Sequence, residues 1–410
     1  YGEGIRNFLP TNLQLKEVID FGDLPLFTVA AYPAVVIARK TAKPDATLPV
    51  RVADMVYPIR RRLAGQELAV NHVNVRLALE DLPAELNEAV VQDYPQSLLR
   101  KAGWILEDPR LVRLFDRLMA QGTPLGEYVK GRMYYGIKTG LNEAFVIDQA
   151  KRDELVAADP KSADLIKPWL RGRDIKRWKA EWAGLYVIAV QNSGGADAAN
   201  AWANAKTESE ARAIFRKTYP AIHNHLSQFE NEFVGANGKP KSGLRVRADQ
   251  GKWWWELRAC AYYREFEQPR IVFNRFINSP SFTYDPNGFL HNDACYSAVA
   301  ASPALAALLN SALCWWLLSH LCTALQNGYL QVFIQYLEQL PVPDLDRHED
   351  ALSPLVADLL SKVGPAAEDA VNDIVRIAYG VSEEEFSLVQ RWFVRRSLSV
   401  AEEGQQDDDD

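Results

Sequence analysis

The sequence predicts a mixed α/β fold: a twisted sheet flanked by helices, with further strands before it and helices alone after it. Three observations carry that expectation. The 410 residues give room for two or three domains and at least one large core. The hydrophobic content of 48% is that of an ordinary globular protein. Runs of strand length alternate with longer amphipathic runs in the middle of the chain, whereas residues 349–398 read only as helix.

Taken in order, Tyr1 to Leu9 has the pattern of an amphipathic helix end and Leu15 to Phe21 that of a strand, with a turn at Asp23-Leu24-Pro25. Tyr32 to Ala38 is a continuous apolar run, which predicts a central strand covered on both faces. Two strands and a helix cannot bury both faces of a sheet, so the opening reads as the tail of a larger fold. Pro44, Pro49 and Pro58 punctuate a linker. Val70 to Leu77 alternates as a strand does, while Ser97 to Leu106 and Pro109 to Gln121 have helical spacing. Asp108 is the N-cap of the latter, with Leu111, Leu114, Phe115 and Leu118 on one apolar face. Farther on, Ala144 to Ile147, Leu185 to Ala189, Arg270 to Phe273 and Phe282 to Tyr284 predict strands. Glu208 to Tyr219, Ala221 to Glu232, Leu305 to Leu325 and Leu330 to Leu340 predict helices. Three helices close the chain: Glu349 to Val363, Ala366 to Tyr379, and Ser382 to Leu398 behind the capping box Ser382-Glu383-Glu384-Glu385. Val400 to Asp410 is acidic and expected to be disordered.

The net charge of −7 hides local contrast. Between Lys167 and Lys179 six basic residues face one acid, Asp174. The four cysteines are scattered, with no CxxC pair, and read as reduced thiols of a cytoplasmic protein; no metal site is expected. The apolar run Ala304 to Leu325 contains Asn310, Ser311, Ser319 and His320 and lacks paired basic flanks, so it predicts a buried helix and no membrane partner.

Two blocks interleave cations with aromatics and glycines, as a surface that grips phosphates and stacks on bases requires. The first is Gly136-Ile137-Lys138-Thr139-Gly140-Leu141-Asn142-Glu143-Ala144-Phe145-Val146-Ile147, followed by Ile166-Lys167-Pro168-Trp169-Leu170-Arg171-Gly172-Arg173-Asp174-Ile175-Lys176-Arg177-Trp178. The second runs from Leu244-Arg245-Val246-Arg247 through Trp253-Trp254-Trp255-Glu256-Leu257-Arg258 to Pro269-Arg270-Ile271-Val272. Each has a plainer reading. Lys138 would also suit the tip of a tight hairpin, some cations would pair with Asp174, and three tryptophans alternating along a strand would put at least one in the core. Asp174-Ile175-Lys176 matches half of a nuclease pattern, without the Pro-Asp that should precede it. Asn192-Ser193-Gly194-Gly195 reads as a turn.

In that order the two blocks, closed by Asn327-Gly328-Tyr329-Leu330-Gln331 and Leu340-Pro341-Val342-Pro343, resemble the TaqI-like C-terminal specificity domain. That domain recognises the target sequence in type IIG and IIL restriction–modification adenine-N6 DNA methyltransferases and in related phage-defence enzymes. The resemblance implies a layout: 1–45 as the last strands of a methyltransferase sheet, 46–126 as a connector, 127–345 as the DNA target-recognition domain, 346–399 as a helical segment, and 400–410 as a tail. It implies double-stranded DNA as partner. It implies DNA contacts from Lys138, Thr139, Asn142, Arg171, Arg173, Lys176, Arg177, Arg245, Arg247, Lys252, Trp254, Asn274, Arg275, Tyr329 and Gln331. Phe27 matches an aromatic that stacks on the extruded adenine, a base that loses its neighbours on leaving the helix; a core position at a strand edge is the other reading. The sequence contains no Asn-Pro-Pro-Tyr block and no glycine-rich loop after a strand. S-adenosylmethionine is therefore expected in the parent enzyme and not in this chain, which alone should be inactive in methyl transfer. The competing reading is a protein- or carbohydrate-binding module using its tryptophans. The recognised sequence, any cleavage by the parent and the oligomeric state stay open.

Overall fold

In a computed structural model of the chain, residues 2–29, 31–80, 90–99, 103–195, 198–235, 237–299, 302–325, 328–362 and 364–396 are described. They make a mixed α/β fold in two units. The tail expected at 400–410 lies outside the described residues.

The first unit runs to Gly122 and takes in Thr323–Gly328 and the segment from Arg376. Helix α1 (Glu3–Asn12) leads into β1 (Leu13–Asp20), which pairs antiparallel with β2 (Ala34–Lys40) and parallel with β3 (Pro49–Asp54). With β4 (Val90–Pro95) antiparallel to β3, the order is β2-β1-β3-β4. Leu15, Val18, Val50, Val52 and Tyr94 gather one core. Leu24, Ala53 and Met55 gather another with α2 (Val56–Gly65) and α3 (His72–Glu80). Pro49 opens β3 and Pro58 lies in the first turn of α2.

Three expectations fail here. The run 32–38 supplies an edge strand, not a central one, and Val35 and Ile37 remain 46% and 49% exposed. An apolar run predicts burial, but the number of partners a strand finds is set by the sheet. Of residues 70–77, those from His72 on are helical, not extended. Asn71 caps that helix, accepting from the main-chain N–H of Val73 and Asn74 at 3.1 and 3.0 Å. Of the helix expected over 97–106, residues 100–102 lie outside the described residues, and the described ones give only a 3-10 turn at Gln96–Leu98. The buried Gln96 side chain accepts from Leu15 N at 2.9 Å and donates to the Pro10 and Leu13 carbonyls, tying the segment to β1. By contrast α4 (Pro109–Gln121) forms as expected, with Asp108 accepting from Arg110 N at 2.9 Å. Ser382 and Glu385 exchange both capping-box hydrogen bonds.

The second unit holds Thr123–Cys322 and Tyr329–Val375. Its strands include β5 (Met133–Tyr135), β6 (Val146–Ile147), β7 (Ile166–Leu170), β8 (Tyr186–Ile188), β9 (Arg270–Asn274), β10 (Phe276–Ile277), β11 (Phe282–Asp285), β12 (Leu290–His291), β13 (Cys295–Ala298) and β14 (Leu330–Gln331). An antiparallel sheet has the order β11-β9-β13-β5, a mixed sheet has the order β12-β7-β8-β6 with β12 parallel to β7, and β10 pairs with β14. Trp169, Trp202 and Trp255 pack with α5 (Glu208–Thr218) and α6 (Pro220–Ser227) in one large core.

Here too patterns were overridden. The strand expected at 144–147 begins only at Val146, after a helical turn at Asn142–Phe145. The helix expected over 305–325 is two, α7 (Pro303–Asn310) and α8 (Ala312–Leu321), bent by 67°. Ser311 makes the break: its hydroxyl donates to Leu308 O at 2.7 Å and accepts from Cys314 N at 3.2 Å. No single helix among the described residues is long and apolar enough to cross a membrane. Residues 330–340 give β14 and a short turn of helix, Ile334–Leu337, instead of one helix. Trp253-Trp254-Trp255 lies in a turn closed by Glu256 N to Trp253 O (3.0 Å), not in a strand.

Candidate nucleic-acid interface

Segments far apart in sequence meet where β7 and β9 end and β13 begins. Ile137 N donates to His291 O at 2.8 Å, Asn292 N to Leu170 O at 3.1 Å, and Arg275 N to Ala294 O at 3.2 Å. Asn274 Nδ2 reaches Gly172 O at 2.9 Å. Gly136 permits the crossing: a Cβ there would sit 1.8 Å from Asn292 O. Gly140, at φ 68°, turns the chain back toward Arg247 and Asp249. Lys138, Asn274, Arg275 and the Arg171–Arg177 segment are thereby brought together. Gln331 joins them by pairing with Phe276, and Tyr329 is half-buried two residues before it.

The cations differ in what they face. Lys138, half exposed, stands 3.8 Å from Asp249 and 4.0 Å from Asp293. Thr139 is buried, and its hydroxyl donates to Asn142 Oδ1 at 2.7 Å. Arg171 makes a two-pronged pair with Asp174, at 3.1 and 2.8 Å. Arg173 is exposed. The main chain of Lys176 is held on both sides by Thr283. Arg177 pairs with Glu368 at 2.9 Å and donates to Asn310 O, and the same carboxylate accepts from the Trp178 indole at 3.0 Å. Arg177 is thus an anchor for the segment at Glu368; burial, partly offset by that carboxylate, holds its pKa below the usual arginine value.

The second block is built inward. Arg245 pairs with Glu208 and, at 2.7 Å, with Glu230, which also takes Arg212 at 2.8 Å. The two guanidiniums lie 5.6 and 5.5 Å from the ring of buried Trp254. Arg247 is buried and donates to the carbonyls of Thr139, Trp254 and Glu256. Burial draws its pKa down to about 10, against the pull of Asp249 and Glu256. Lys252 lies exposed over Trp253 and donates to Ala205 O at 3.2 Å. Phe27, in the first unit, is exposed.

Sequence reasoning missed the acids that organise these cations, Glu208, Glu230, Asp249, Asp293 and Glu368. It also missed two exposed rings, Tyr135 and Phe276, beside the blocks. Lone carboxylates and single aromatics have no pattern by which to find them.

Residues 167–342 match the family model of the TaqI-like C-terminal specificity domain, so the resemblance read from the sequence is borne out over that segment. The chain is similar to the solved structure of a type IIL restriction–modification enzyme, MmeI, in complex with DNA, at 10% identity and TM-score 0.46, over 94% of this chain and 46% of that one. It is also similar to the type IIG restriction endonuclease BpuSI, at 14% identity and TM-score 0.36, over 92% and 45%. The chain spans less than half the length of either. No curated protein matches it.

Proposed function

We propose that this chain recognises a sequence in double-stranded DNA and directs an S-adenosylmethionine-dependent adenine-N6 methyltransferase of a restriction–modification or phage-defence system to one adenine. The match over residues 167–342 is the observation that supports the reading most. Lys138, Arg173, Lys176 and Lys252 are assigned to phosphates. Asn274, Arg275, Tyr329 and Gln331 are assigned to base edges, because strand ends and the loops beside them carry function more often than strand middles. Arg171, Arg177, Arg245 and Arg247 hold that surface in shape through their internal partners. Phe27 is assigned to the extruded adenine, and S-adenosylmethionine to the methyltransferase portion of the parent enzyme.

Binding of duplex DNA measured from 50 to 200 mM salt tests the reading. A few phosphate contacts lower affinity by about tenfold or more over that range. A flat response would favour the protein- or carbohydrate-binding alternative. Methylome sequencing of a host carrying the full-length gene would supply the cognate site, or show that there is none.

A further inference from the structure

We propose that Tyr135 and Phe276 form an aromatic wedge that enters the duplex between base pairs and unstacks one step at the recognised site. The inference rests on the reading above and adds to it a deformation of the DNA.

Single exposed aromatics are ordinary; these two end one packed row. Tyr135 is 55% exposed and meets buried Tyr296 edge-on at 5.0 Å, its partner across β5 and β13. Tyr296 meets Phe333 at 6.2 Å, and Phe333 meets Phe276, 43% exposed, at 5.9 Å. Phe333 stacks in turn on Tyr336. The outer rings are therefore each backed by an inner one. Phe276 is further pinned by its neighbour Arg275, whose N–H donates to Ala294 O and whose carbonyl accepts from Val332 N.

Charge decides the occupant. Arg275 lies 5.9 Å from the Phe276 ring, beside the Tyr296 phenol, and Lys138 follows Tyr135 by three residues. An apolar protein partner would offer no counter-charge to Arg275. A DNA step offers bases to the rings and phosphates to the cations at once, and inserted apolar side chains of this kind kink duplexes elsewhere.

The 410-residue chain is first used to select duplexes from a random-sequence library. The selected duplex, carrying 2-aminopurine at each position in turn, is the probe. One step should brighten severalfold on binding. Tyr135→Ala with Phe276→Ala should abolish the rise and weaken binding roughly ten- to a hundredfold, as loss of base–aromatic stacking predicts, while Tyr135→Phe keeps both. Selection of no duplex overturns the recognition reading itself. A duplex that is bound with no position brightening, or that brightens equally with the double variant, overturns the wedge and leaves recognition standing. The map with the unaltered chain needs no variant, so the inference is tested even where the double variant melts early.

Discussion

Arg247 donates to the main-chain carbonyl of Thr139, 108 residues before it. The two cation-rich blocks are thereby parts of one structure: the guanidinium that closes the second block carries the loop that presents Lys138. Arg247→Ala should cost about 3 kcal/mol or more in urea unfolding, since three buried carbonyls lose their donor. Arg247→Lys should restore little, because a single ammonium cannot reproduce the planar fork. A stable Arg247→Ala protein with weakened DNA binding would instead make this residue a DNA ligand.

Lys138 stands between Asp249 and Asp293, so two carboxylates offset its charge at the surface. Asp293→Asn should raise affinity for any duplex severalfold at 50 mM salt and much less at 300 mM, where screening shortens the field to roughly 6 Å. Lys138→Ala should lower affinity for cognate and random duplexes alike by about tenfold. Equal affinity of Asp293→Asn and parent at low salt would place the pair outside the interface.

Arg275→Ala separates reading from gripping. A base-edge contact at that strand end should cost roughly 1–3 kcal/mol on the cognate duplex and far less on random DNA. Loss by the same factor on both would make Arg275 a phosphate clamp.

Acid should loosen the second unit. His291 is fully enclosed, and burial together with the Arg270 charge holds its pKa down to about 3. The unfolded chain takes up that proton below about pH 6.5, whereas the folded chain does so only near the lower value. Stability is therefore full above pH 6.5 and falls progressively as the pH drops from there. His225, also buried, shifts the same way. The urea midpoint should be lower at pH 5.5 than at pH 7.5, and His291→Gln should narrow that gap.

What the sequence made legible was local. Asp108-Pro109 starts a helix and Ser382 to Glu385 boxes one because both signals are made by residues three or fewer apart. The family match was legible because its residues lie in order along the chain. Illegible were the features settled by distant partners. Asn310 receives Arg177 and braces the Phe282 main chain through its side chain, and Glu368 binds Arg177 and Trp178 from about 190 residues away. Arg245 and Arg247 looked alike, yet one sits exposed among acids and the other is buried, a difference that depends on where Glu208, Glu230 and Thr139 fall.

The crossing at Gly136 divides its loop into a fixed part and a variable part. With Asn292 O where a Cβ would stand, no side chain can be added without parting the two segments. Position 138 stands half exposed and position 293 faces it. Drift or engineering can therefore rewrite these exposed positions while the crossing beneath them stays unchanged. Exchanging Lys138 with Asp293 would reset the local charge, and with it the grip on any duplex, on a frame already paid for by one glycine.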